Sequence, residues 1–120
     1  MNIPIIVLLV EDEELIRMEL ADDLSGRGFQ VHEASNSNDA IIILSDRSDI
    51  QLLFTDIDMP GRMDGLMLAA ETHARWPKVK IIVTSGLQKV NVSDIPPDSR
   101  FLSKPHLPGS IATAIVEMVA

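Results

Sequence analysis

Apolar residues fall along the chain in short runs of strand length, rich in β-branched side chains, at Ile5–Val10, Gln30–Ala34, Leu52–Thr55 and Lys80–Thr84. A weaker run follows at Arg100–Ser103. The first, third and fourth runs do not alternate with polar residues, which is the pattern of a strand buried on both faces. The segments between them carry helical spacing. Ile16, Leu20 and Leu24 recur every fourth position after Glu13, with Gly26 or Gly28 available as the left-handed stop. Ala40, Ile41 and Leu44 follow Ser37, a candidate N-cap. Propensity alone suits Ile41–Leu44 to a strand, but its place between Ser37 and Asp46 favours a helix. Leu66, Ala69, Ala70 and His73 follow Gly65, and Trp76-Pro77 closes that helix. Ile111, Ile115 and Met118 follow Pro108, which is tolerated in a first helical turn. Strand and helix alternating in this way predict a parallel sheet sandwiched between helices.

The segment Leu87–Ser99 breaks the pattern. Its apolar residues Leu87, Val90, Val92 and Ile95 do not share one helical face, and Pro96-Pro97 bars continuation beyond Ile95. The helix expected between the fourth and fifth strands is therefore predicted to shrink to about one turn or to become an irregular loop.

Composition narrows the function classes. At 120 residues the chain suits a single domain, residues 1–120, and it has no cysteine, which excludes a thiolate nucleophile and Cys-based zinc sites. Three phenylalanines and one tryptophan are too few for a base-stacking platform. Ten basic against eighteen acidic residues give a net charge of −8, the wrong sign for a direct nucleic-acid partner. The longest apolar run, Ile5–Val10, is far short of a membrane span, and no basic segment precedes it as in a secretory signal. These features lead to the expectation of an acidic cytoplasmic domain without a membrane partner.

In an open parallel sheet, ligands sit outside the carboxyl ends of the strands. Those ends carry Glu11-Asp12, Asp56-Ile57-Asp58, Thr84-Ser85-Gly86 and Ser103-Lys104-Pro105. Taken singly, each is ordinary: acidic residues often partner helix dipoles, and hydroxyls often form turns. Jointly they are harder to dismiss, because converging carboxylates repel unless a cation or shared proton intervenes. Oxygen ligands from several carboxylates suit Mg2+, or Mn2+, as cofactor. With a lysine as counter-charge and a hydroxyl as donor, the set matches the needs of phosphoryl transfer, and an aspartate within it can act as nucleophile.

The stretches LLVEDEELIR, LLFTDIDMPGRMDGL, IIVTSG and FLSKP resemble a response-regulator receiver domain of two-component signalling, over essentially the whole chain from Ile5. The resemblance implies a flavodoxin-like α/β fold, doubly wound, with a five-stranded parallel sheet in the order 2-1-3-4-5. It implies that Asp56 is the phosphoacceptor, taking its phosphoryl group from a sensor histidine kinase or a histidine phosphotransfer protein and signalling to an output partner not named by the sequence. Glu11 and Asp12 match the family's acidic pair, with Asp12 the more direct Mg2+ ligand, and Asp58 lies where the family lends a backbone carbonyl to the metal. Lys104 matches the invariant lysine, the Lys104–Pro105 peptide matches one that is cis, and Phe101 sits at the aromatic switch position. Spacing assigns the switch hydroxyl to Ser85, with Thr84 the alternative, once one extra residue, Arg62, is allowed before the Asp64-Gly65 pair. The expected response is a phosphoryl group that draws Ser85 and its loop inward while Phe101 repacks. The expected catalysis is confined to the domain's own phosphorylation and autodephosphorylation.

Two departures accompany the resemblance. The interval from Ser85 to Lys104 is a few residues short and lacks the usual Gly-Ala before the fifth strand. The Asp58 side chain adds a carboxylate at the mouth of an already acidic site, where it is expected to repel anionic donors, orient water or face solvent. Rival readings are a degenerate receiver that serves only for docking, and a Mg-dependent enzyme resembling Asp-x-Asp phosphatases or Toprim domains. The enzymes leave Ser85 and Lys104-Pro105 less well explained.

Overall fold

The computed structural model describes residues 3–58, 65–86, 90–107 and 109–120. Five strands, β1 (Ile6–Val10), β2 (Gln30–Ala34), β3 (Leu52–Asp56), β4 (Lys80–Ser85) and β5 (Arg100–Ser103), form one sheet in the order β2-β1-β3-β4-β5. Every pairing is parallel. Helices α1 (Glu14–Gly26), α2 (Ser37–Asp46), α3 (Gly65–Arg75) and α4 (Ser110–Val119) fill the gaps. The alternation of strand and helix gives the parallel sheet between helices that it predicts, and the strand order is the flavodoxin-like one that the resemblance implies. Ile41–Leu44 is helical, as its flanking signals predict.

Because side chains on a strand alternate between faces, the continuous apolar runs feed two cores at once. Leu8, Val10, Leu53, Ile81 and Val83 pack with Ala40 and Leu44 of α2 and Leu68 and Ala69 of α3. Val7, Leu9, Leu52, Phe54 and Ile82 pack with Ala21 and Leu24 of α1 and Ile111, Ala114 and Ile115 of α4. The central strands therefore have no solvated face.

The helix ends show where local signals were read one position off. The N-cap of α2 is Asn36, whose Oδ1 accepts the Asp39 amide at 2.8 Å; Ser37, the expected cap, is the first helical residue and is buried. Two adjacent residues with capping side chains compete for this place, and the chain's extended entry at Asn36 decides it. For α1 the left-handed stop is Gly28, at φ 97°, while Gly26 remains inside the helix. Helix α4 begins at Ser110 after Gly109, at φ 82°, and the residue expected in its first turn, Pro108, lies outside the described residues. Between β4 and β5 the described chain holds a single 3-10 turn, Val92–Asp94, closed by the Asp94 amide on the Asn91 carbonyl at 2.9 Å. The full helix is absent among the described residues, as the scattered apolar positions and Pro96-Pro97 predict; residues 87–89 lie outside them. Val90 and Ile95 nonetheless pack against the first core beside Phe101.

Gly65 is the tightest backbone approach to the site. A Cβ there would collide with the Asp56 carbonyl oxygen and lie 2.6 Å from the Ile57 Cα, both main-chain atoms that cannot swing aside. Gly65→Ala is therefore expected to destabilise the domain by on the order of 3 kcal/mol, through overpacking against the strand end. Urea unfolding of the two proteins measures this; equal midpoints would show that α3 can slide away without loss.

Candidate functional site

Parallel pairing puts the carboxyl ends of β1, β3, β4 and β5 along one edge of the sheet, and the polar residues collect there. Glu11 directly follows β1, its amide bonded to the Ala34 carbonyl at 3.1 Å, and Asp56 closes β3. Both are almost wholly enclosed, at 2% and 3% exposure, whereas Asp12 is open to solvent. Ligand oxygens of Glu11, Asp12 and Asp56 lie within 4.8 Å of one another.

Lys104 reaches into this cluster from the end of β5. Its Nζ donates to Asp56 Oδ2 at 2.8 Å and stands 3.6 Å from Glu11 Oε1. The other Asp56 oxygen, Oδ1, accepts the Asp58 amide at 2.8 Å. Glu11 Oε2 accepts the Glu13 amide at 3.0 Å, and Arg17 Nη1 donates to the Glu11 carbonyl at 3.0 Å while its Nε pairs with Glu33 at 3.3 Å. The start of α1 and the edge of β2 thus hold the acidic corner in place.

Burial pushes the Glu11 carboxyl up to about 7, against the Glu13 amide, with Asp12 and the Asp56 charge adding to the rise. For Lys104, burial works to lower the ammonium, but the hydrogen bond to Asp56 and the charges of Asp56 and Glu11 outweigh it and leave the value raised. The crowding of acids is thus expressed at Glu11, and Lys104 stays charged at neutral pH.

The two hydroxyls at the end of β4 diverge, as neighbouring strand residues must. Ser85 Oγ donates to Asp58, with the two carboxylate oxygens at 2.8 and 2.9 Å, and the Gly86 amide donates to Asp58 Oδ2 at 3.1 Å. Thr84 Oγ1 instead lies 3.0 Å from His106 Nε2. His106 is half-buried, meets the Phe54 ring edge to face at 6.1 Å, and has its imidazole value lowered by burial and by Lys104. The Lys104–Pro105 peptide is cis. Phe101 is half-buried and lines, with Ser85, Gly86, Val90 and Lys104, a surface cavity of about 380 Å3.

The structure therefore brings Glu11, Asp12, Asp56 and Lys104 into one cluster, with Ser85 at its border and Phe101 across a cavity from it. It corrects one of the expectations at Asp58: the carboxylate does not merely face solvent but turns back onto Ser85 and Gly86. His106 and the Gly86 amide had no sequence signal, because nothing in the local pattern gives a loop histidine or a backbone N–H its partner. Arg62 and Asp64 lie outside the described residues. The donor set is hard oxygen from three carboxylates, which fits Mg2+ or Mn2+ and not a soft metal. Chemically the site can hold a divalent cation beside a carboxylate nucleophile with an ammonium ready for an anionic group.

The comparisons with known proteins agree. The sequence matches the family described as the response regulator receiver domain over residues 7–115. It is 35% identical over 117 residues to the sensor kinase CckA of Brucella abortus, covering 94% of this chain but only 12% of that protein's length. The structure is similar to a response regulator receiver protein from Sinorhizobium medicae, with a TM-score of 0.89 at 27% identity, covering 97% of this chain and 94% of that one. It also resembles the receiver domain of the hybrid histidine kinase CckA, with a TM-score of 0.80 at 28% identity, covering 96% of this chain and 99% of that one. No helix among the described residues is long and apolar enough to cross a membrane. With its parallel sheet, its acidic cluster beside Lys104 and this match over nearly all of its length, the chain belongs to the response regulator receiver domain family of two-component signalling.

Proposed function

We propose that the whole chain works as one phosphoacceptor receiver, in which Asp56 takes a phosphoryl group from the phosphohistidine of a sensor kinase or a histidine phosphotransfer protein. The observation that carries this reading is the nearly enclosed Asp56 carboxylate, held by Lys104 on one oxygen and the Asp58 amide on the other, within reach of Glu11 and Asp12. In the transfer, an Asp56 oxygen forms the new P–O bond, the donor P–N bond breaks, and its electron pair stays on the imidazole. Glu11, Asp12 and Asp56, with the Asp58 carbonyl, would hold Mg2+ or Mn2+. Bound there, the metal supplies the positive charge that screens the phosphoryl oxygens from the carboxylates. Lys104 neutralises a phosphoryl oxygen, and Ser85, rather than Thr84, donates to another, since Ser85 faces Asp58, whose amide bonds Asp56, while Thr84 turns the other way onto His106. Loss of the group is hydrolysis: water attacks phosphorus, the P–O bond to Asp56 breaks, and phosphate leaves.

A groove of about 700 Å3 runs beside Lys104, with Ile16 and Leu20 of α1 on one wall and Leu107 and Ile111 on the other. It offers apolar surface for the donor protein to seat while its phosphohistidine reaches Asp56. Phe101 would repack across its cavity and carry the signal to the output surface, where the described residues between β4 and β5 hold a single 3-10 turn. The docking-only alternative keeps the same fold without the chemistry. The phosphatase reading is disfavoured because its Asp-x-Asp follows a first strand, whereas Asp56 and Asp58 follow β3.

Incubation with acetyl phosphate and Mg2+ tests the reading. The expected result is a mass gain of one phosphoryl group on Asp56, slowly lost, and none in Asp56→Asn. A folded wild type that takes up nothing from any donor would establish the docking-only alternative instead.

Lys104→Ala is expected to fold but to lose on the order of 2 kcal/mol, because Asp56 and Glu11 are left without their ammonium. Once phosphorylated, this variant should leave the amide resonances of Ser85, Gly86 and Phe101 where they were, while the wild type moves them. Movement equal to wild type would remove Lys104 from the switch.

The raised Glu11 carboxyl gives a signed pH dependence in the metal-free protein. Between its ordinary 4.5 and about 7 the folded chain binds a proton that the unfolded chain has released. Its stabilisation is complete below 4.5 and fades as pH rises through 7, by on the order of 2 kcal/mol. Mg2+ binding selects the carboxylate, so saturating metal should flatten or reverse the slope, and Glu11→Gln should abolish it. Urea unfolding across this range, with and without Mg2+, reads all three.

A further inference from the structure

The contacts of Asp58 are unlike those expected of a residue that merely borders an acidic pocket. Its carboxylate oxygens lie 2.8 and 2.9 Å from the Ser85 hydroxyl, and Oδ2 accepts the Gly86 amide at 3.1 Å. A hydroxyl has one proton, so the first two distances describe a single bond shared between two oxygens. An anion with two oxygens thus takes a side-chain O–H and the next backbone N–H together. A phosphoryl group on Asp56 presents the same chemistry, with more charge and one more oxygen. Asp58 cannot stand far from that group, because its own amide donates to Asp56 Oδ1 at 2.8 Å.

We propose that the Asp58 side chain is an internal competitor of the phosphoryl group, occupying the Ser85 and Gly86 donors until phosphorylation of Asp56 displaces it. This rests on the reading of Asp56 as phosphoacceptor and makes Asp58 a positioning residue, acting through Ser85 and Gly86. Two anions cannot share the same pair of donors at this range without strong repulsion, and the more highly charged phosphoryl group prevails. Activation is then an exchange of partners at the end of β4, with Asp58 released toward solvent. It adds a displaced partner to the expectation that phosphate draws Ser85 and its loop inward. Asp58 also sets the threshold of the switch, since part of the phosphoryl group's interaction is spent on breaking its bonds.

A double-mutant cycle with beryllofluoride, a phosphoryl mimic, in Mg2+-containing buffer tests this. Asp58→Ala is expected to tighten beryllofluoride binding about tenfold, the scale of a charge-assisted hydrogen bond removed from competition. In a Ser85→Ala background the same change should gain only about twofold, because one of the contested donors is gone. The Gly86 amide resonance of the unphosphorylated protein should move upfield in Asp58→Ala. Equal gains in both backgrounds, in a chain that acetyl phosphate still phosphorylates on Asp56, would show that Asp58 acts through its charge alone and overturn the competition. An unmoved Gly86 resonance would overturn the contact itself. A wild type that binds no beryllofluoride and accepts no phosphoryl group, with Gly86 still responding to Asp58→Ala, would instead overturn the phosphoacceptor reading and the competition built on it.

Discussion

Burying a carboxylate costs free energy unless its charge is matched and its lone pairs are filled, and Asp56 meets both conditions at the edge of the sheet. Lys104 matches the charge from β5, and the Asp58 amide fills the second oxygen. Much of the surrounding structure follows from keeping that arrangement. The sheet must be parallel for β1, β3, β4 and β5 to present their carboxyl ends together. The central strands must be apolar on both faces so that helices on either side hold them in register. The first residue of α3 must be glycine, because the helix begins in contact with the Asp56 carbonyl.

The same arrangement leaves an imbalance that the function can use. Glu11, Asp12 and Asp56 share the neighbourhood of one ammonium, and the excess is relieved by a proton on Glu11 or by a divalent cation. A proton and a metal would therefore compete for one corner of the site. Under the proposed function, a phosphoryl group would add negative charge to a place already short of positive charge, and its neighbours could not stay indifferent to the addition.

Asp58 is placed where that sensitivity would be passed on. Its backbone amide supports Asp56 while its side chain holds Ser85 and Gly86, so one residue links the acceptor to the end of β4. From there Phe101 lies across a small cavity, and the described residues between β4 and β5 hold one short 3-10 turn.

The sequence alone was enough for the strands, the helices and the set of residues at the strand ends. Those features are local: a double-sided strand is a continuous apolar run, and Glu11, Asp56 and Lys104 each stand directly after one. The single turn among the described residues between β4 and β5 was equally legible, because proline and misplaced valines act within a few residues. The cap position at Asn36 was less so, since it and its neighbour Ser37 can both cap and differ only in the backbone angle the chain reaches there. What only the tertiary structure decided is where the polar side chains point. Thr84 and Ser85 are neighbours with the same functional group, and strand alternation sends one to His106 and the other to Asp58. Asp58 itself reads in sequence as one more repelling acid. Its donors come from another strand, 27 residues away for Ser85, and a hydrogen bond across that distance exists only once β3 and β4 are in register.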